Sequence, residues 1–106
     1  MLVAGGKAGE AFTPSDWEAS AEALRFWETQ EYDKAIELLA ERHAELPDNA
    51  AVLYNLACAE SLAGRHADAL GHLEQAVELN PPFRKAAQTD ADFDPVRDDP
   101  NFPTPE

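Results

Sequence analysis

An all-α chain of antiparallel helix hairpins stacked on one another is the fold this sequence predicts, and three observations carry the prediction. The sequence aligns with itself without a gap at an offset of 34 residues, pairing Ala23 with Ala57, Tyr32 with His66, Ala35 with Ala69, Ile36 with Leu70, Leu39 with Leu73 and Pro47 with Pro81. Apolar residues recur at helical spacing within each unit. Proline, glycine and asparagine fall between the periodic stretches, where turns are needed. A period in this range marks a two-element unit that cannot bury its apolar face alone and must stack on its neighbour.

Taken in order, the first helix is expected over roughly 15–29. Thr13-Pro14-Ser15-Asp16 supplies a capping hydroxyl and a proline, and Asp16 and Glu18 suit the positive end of the helix dipole. Ala19, Ala23, Phe26 and Trp27 form its apolar stripe. The second helix, 32–45, carries Tyr32, Ala35, Ile36, Leu39 and Ala40. Pro47-Asp48-Asn49 closes this unit and caps a third helix, 50–63, lined by Leu53, Leu56, Ala57 and Ala59. Gly64 makes the turn into a fourth helix, 67–79, lined by Ala69, Leu70, Leu73, Ala76, Val77 and Leu79. Asn80-Pro81-Pro82 ends the second unit and begins a shorter helix, 82–89. The small alanines at 23, 35, 57, 69 and 76 let helix axes approach closely, as a tight antiparallel hairpin requires.

The chain has 106 residues, enough for one domain and too few for two. Its 21 acidic and 8 basic residues leave a formal net charge of −13. Such a surface repels phosphate backbones and anionic headgroups, so neither nucleic acid nor a membrane is an expected partner. The single cysteine, Cys58, cannot form an internal disulfide, and the apolar start Met1 to Ala4 is too short for a signal peptide or a spanning helix; a cytoplasmic location follows.

Leu53-Tyr54-Asn55-Leu56-Ala57, then Gly64, Ala69, Leu73, Ala76 and Pro81, resembles the tetratricopeptide repeat across a full unit. The first unit is similar but departs from the pattern: Glu22 stands at a leucine position, Gln30 replaces the turn glycine and Arg42 replaces a small alanine. The resemblance spans about 15–81 and implies a short right-handed solenoid with repeats at about 16–49 and 50–83 and a capping helix that ends the domain at 89. Residues 1–14 are an N-terminal arm, whose Met1 to Phe12 stretch is similar to the last strand and exit segment of cupin barrels. That similarity implies descent from a longer cupin-containing chain or from a relative without its barrel.

Residues 90–106 form an acidic tail with six carboxylates and four prolines, among which Phe93, Val96 and Phe102 are spaced. One reading has these three residues pin the tail over the last helix to complete a small core. The other makes the tail a docking segment for a second partner.

The resemblance also implies a function, binding of another protein, because the first helix of each repeat in this family lines a concave face that receives peptide segments. The matching positions are Trp17, Ser20, Leu24 and Trp27 in the first unit, Ala51, Tyr54, Asn55, Cys58, Ser61 and Leu62 in the second, and Lys85 on the cap. Aromatic anchors of this kind dominate binding energy at interfaces, and the acidic surface favours an apolar or basic segment. An alternative has Trp17 and Trp27 packing against the arm or the first hairpin. The family's carboxylate-gripping subset is matched at Asn55 and Lys85 but not at Ser20, Leu24 or Thr89, which disfavours chaperone tails as ligands. A two-repeat chain is also short for its class, so closure of the groove against a second copy, giving a homodimer, is the alternative function.

No catalytic constellation is found. Gly5-Gly6-Lys7-Ala8-Gly9 lacks the hydroxyl that a phosphate loop places directly after the lysine. His43, His66 and His72 are scattered over different turns, and Asp68 with His72 reads as a surface hydrogen bond rather than half a metal site. Cys58 on an alanine-rich helix reads as a packing or groove residue. Neither a cofactor nor a metal is implied, and the chain is expected not to be an enzyme.

Overall fold

The computed structural model describes residues 25–104, and these fold as packed helices with no strand among them. The end of a first helix, α1, is described over 25–28. It is followed by α2 (Tyr32–Glu45), α3 (Ala50–Leu62), α4 (His66–Leu79), α5 (Pro82–Thr89) and a 3-10 helix, η1 (Ala91–Val96). The ends of α2 to α5 lie within one residue of those the apolar periodicity predicts. The expected start of the first helix lies outside the described residues.

The 34-residue period reappears in the backbone at both turns. After α1, the Gln30 amide donates to the Trp27 carbonyl (3.1 Å) and the Glu31 amide to Phe26 (2.8 Å). After α3, Gly64 donates to Ser61 (3.2 Å) and Arg65 to Glu60 (2.8 Å), the same pattern one repeat later. Each is a helix stop of the kind that needs a left-handed residue after the last turn. Gly64 meets that need without a Cβ at φ 87°, whereas Gln30 adopts φ 59° with one. The loops closing the two repeats also match, with Leu46 donating to Arg42 and Asn80 to Ala76, both at 2.8 Å. Asn49 caps α3, its Oδ1 accepting from the Val52 amide at 3.0 Å.

α3 is the centre of the molecule. Every residue from Ala50 to Ser61 is buried, Asn55, Glu60 and Ser61 among them, and a helix with apolar residues around most of its circumference belongs in the core. One side of α3 joins Val52, Leu56 and Ala59 to Ala35, Ile36 and Leu39 of α2. The opposite side joins Leu53, Tyr54, Ala57 and Cys58 to Leu73 and Val77 of α4, Phe83 and Ala87 of α5, and Phe93, Val96 and Phe102. Trp27 packs against both clusters. Two residues assigned to apolar stripes face outward: Ala40 is exposed, and Leu79 is 40% exposed. Leu79 lies nine positions after Leu70, half a turn away around an α-helix, so both cannot face α3.

Candidate functional site

Of the concave-face positions, Trp17, Ser20 and Leu24 lie outside the described residues. Ala51, Tyr54, Asn55, Cys58 and Ser61 come together along α3, each no more than 1% exposed. Trp27 and Leu62 are half-buried, and Lys85 is exposed on α5. Residues 90–104 lie over part of this face: Tyr54 and Cys58 share a cluster with Phe93, Val96 and Phe102, and η1 packs against α3 and, less extensively, α4.

Side chains seat this segment. The Tyr54 hydroxyl donates to Asp90 Oδ2 at 2.8 Å. The Tyr54 ring meets Phe83 at 4.7 Å between centroids and Phe93 edge-on at 5.3 Å, and Phe93 meets Phe102 at 6.1 Å. Asp90 Oδ1 accepts from the Asp92 amide at 3.0 Å, which starts the 3-10 turn. Arg97 then folds back over the end of α5. Its guanidinium donates to the carbonyls of Ala87 (2.9 Å), Gln88 and Asp90 (2.5 Å) and to Asp94 Oδ1 (2.9 Å), and it lies 5.5 Å from the Phe102 ring centre. One planar fork thereby serves the Ala87 and Gln88 carbonyls, which lie at the end of the helix where amide partners run out, and gives the Asp90 carbonyl a second donor beside the Phe93 amide. Gln88 Nε2 donates to Pro103 (2.8 Å) and Arg84 to Thr104 (3.2 Å).

The chemistry of this region is that of packing. Burial, then the neighbouring Cys58 and Asp90, push the Tyr54 phenol far above its ordinary value, so it stays a hydrogen-bond donor. Burial first, then the Asp90 and Asp92 carboxylates, push the Cys58 thiol well up, which disfavours the thiolate that nucleophilic attack or metal binding needs. Cys58, Asp90 and Asp92 bring their ligand atoms within 4.8 Å of one another. Both Asp90 oxygens, however, already accept hydrogen bonds that build the fold.

A second polar cluster joins α2, α3 and α4. His72 Nδ1 lies 2.6 Å from Oε1 of Glu60, a carboxylate only 4% exposed, and the His72 ring meets that of His43 at 6.0 Å. The spacing of four on one helix predicts a hydrogen bond between His72 and Asp68. The hydrogen bond runs instead to α3, because only a partner on the neighbouring helix can satisfy a carboxylate that α3 carries inward.

Residues that sequence reasoning left out of this face are Asp90 and Arg97. The signals for them were present: an aspartate two residues before the amide it caps, and the only basic residue in an acidic tail.

With this geometry in view, comparison with known families gives a specific match: the tetratricopeptide repeat family model covers residues 50–88, the span of α3, α4 and most of α5. Over these residues the chain is similar to a tetratricopeptide repeat, and the packed helices agree with that type of fold. Searches of curated proteins and of solved structures return no significant match. Repeats of this type generally act as non-catalytic modules that bind other proteins, and no enzymatic family is indicated. No described helix is long and apolar enough to cross a membrane.

Proposed function

We propose that the chain is a non-catalytic interaction module whose α3 face receives an extended segment of a partner protein. The observation that carries this reading is the segment already seated there, in which Asp90 and Phe93 contact Tyr54 by a hydrogen bond and an edge-on ring contact. A face that holds one short segment by side-chain anchors has the chemistry to hold another. The net charge of −13 favours partners whose flanks are basic. A cytoplasmic setting fits the single reduced cysteine, buried at position 58.

The test is capture of partners by the full chain carrying a photo-crosslinker at exposed Lys85, with identification of both crosslinked residues. A reproducible protein partner crosslinked here and lost when the same crosslinker-bearing chain also carries Leu62→Ala, with unchanged helicity, supports the proposal. Recovery of crosslinks only between copies of the chain, with a light-scattering mass of two chains, would establish the homodimer in its place.

A further inference from the structure

Resting on the reading of α3 as a partner-binding face, we propose that residues 90–104 are a displaceable strap, and that the partner carries the strap's own recognition chemistry: a carboxylate three residues before a phenylalanine, with basic rather than acidic flanks.

Three features of the strap point this way. First, no backbone-to-backbone hydrogen bond joins residues 91–104 to α2, α3, α4 or α5 among the described residues. The recorded backbone bonds of the strap are local, from Phe93 to Asp90, Arg97 to Asp94, Asp99 to Val96 and Phe102 to Asp99. A segment with its own backbone pattern, held by side chains, can leave and return without unpairing any helix. Second, its anchors form a short pattern. Asp90 takes the Tyr54 hydroxyl, and Phe93, three residues on and fully buried, packs on the Tyr54 ring. Arg97 then latches the segment to the end of α5.

Third, the strap is seated against its own charge. Residues 90–106 hold six acidic side chains and one arginine, a net −5, while the other 15 acidic and seven basic residues leave −8 on the rest of the chain. Two like-charged bodies in contact repel, and more strongly at low salt. A competing segment with the same aspartate and phenylalanine but basic flanks meets attraction where the strap meets repulsion. The face therefore discriminates by flank charge, and the strap sets the threshold that a partner must exceed.

Cys58 is the chain's only cysteine and is fully buried against the strap side of α3, so it reports opening in the intact protein. Its reaction with a disulfide reagent is followed across a urea series below the unfolding transition. The expected result is a labelling rate at low urea at least about 10-fold above that set by global unfolding, nearly independent of urea, and faster at low salt. The second measurement is fluorescence anisotropy of a labelled peptide copying residues 90–104 with Asp98 and Asp99 replaced by lysine. It should bind the full chain, bind the Arg97→Ala chain about 10-fold more tightly, and lose binding when its phenylalanine matching Phe93 becomes alanine. Labelling that shows only the urea dependence of global unfolding, or a peptide that binds neither chain, overturns the strap. If Arg97→Ala fails to fold, labelling and peptide binding of the unsubstituted chain decide the matter. Partner crosslinking through Lys85 together with labelling that follows only global unfolding would mean that a partner docks beside a closed strap, which overturns the strap alone. Loss of the crosslink with labelling that shows opening overturns the partner-binding reading alone.

Discussion

At Gln30 a side chain occupies a backbone conformation that its repeat equivalent, Gly64, adopts without one. A left-handed residue with a Cβ costs roughly 1 kcal/mol relative to glycine. Gln30 is exposed and its side chain is no part of either apolar cluster, so Gln30→Gly is expected to raise stability by about 0.5 to 1 kcal/mol. Gly64→Ala is expected to lower it by a similar amount, although open space surrounds the added Cβ. Urea midpoints of the two variants check both signs. His72 gives a pH-dependent counterpart. The Glu60 hydrogen bond, against an opposing desolvation, raises the pKa of His72. A raised folded-state value means that protonated His72 stabilises the fold fully below the unfolded value of about 6.5, and that this contribution is lost as pH rises through the folded value. The stability difference between the natural chain and His72→Phe should therefore be larger at pH 5.5 than at pH 9. A difference that is flat across this range would mean that the Glu60 contact does not depend on charge.

At the scale of elements, the latch at the end of α5 decides whether the last 15 described residues add stability. Burying Phe93 and Phe102 offers roughly 3 to 6 kcal/mol before the entropy of ordering the segment is subtracted. Arg97→Ala would leave the carbonyls of Ala87 and Gln88 short of a donor, at about 1 to 3 kcal/mol. A fall of several degrees in melting temperature follows, since about 1 kcal/mol moves a domain of this size by about 4 to 8 °C. Arg97→Lys should rescue little of it, because a single ammonium cannot span the carbonyls that the planar fork reaches. What was legible in the sequence follows from what each element depends on. The helices α2 to α5 are set by local spacing and by Asn49 and Gly64, so their ends could be read directly. The aromatic cluster around Tyr54 was legible as residue types but not as an occupied face, because occupancy depends on where the chain turns after Thr89. That turn is set by contacts distant in sequence, Tyr54 with Asp90 and Arg97 with the end of α5. The pairing of Glu60 with His72 escaped for the same reason, since it joins two helices and leaves no short-range pattern.

Across the whole molecule, α3 and Trp27 belong to the cores on both sides, so neither repeat can lose its packing without exposing the other. The chain should therefore melt in one transition, and its midpoint reports all the electrostatics at once. Two opposed terms set how that midpoint responds to salt. Surface ion pairs favour the fold at low salt: Lys34 with Glu31, Arg42 with Glu45, Arg65 with Asp33 and Arg97 with Asp94, at 2.9 to 3.6 Å. Three of them lie within one helical turn and all involve exposed carboxylates, so each contributes about 0 to 1 kcal/mol. Against them stands self-repulsion within a chain of net charge −13, which unfolding relieves by spreading the charges out. Raising ionic strength from about 0.01 M to about 1 M shortens the screening length from about 30 Å to about 3 Å. That removes repulsion summed over many distant pairs more completely than attraction between a few groups in contact. Repulsion should win, and the melting temperature should rise by several degrees over this range in sodium chloride. A melting temperature that falls with added salt would show that the few contacts, Arg65 with Asp33 between the repeats above all, outweigh the net charge.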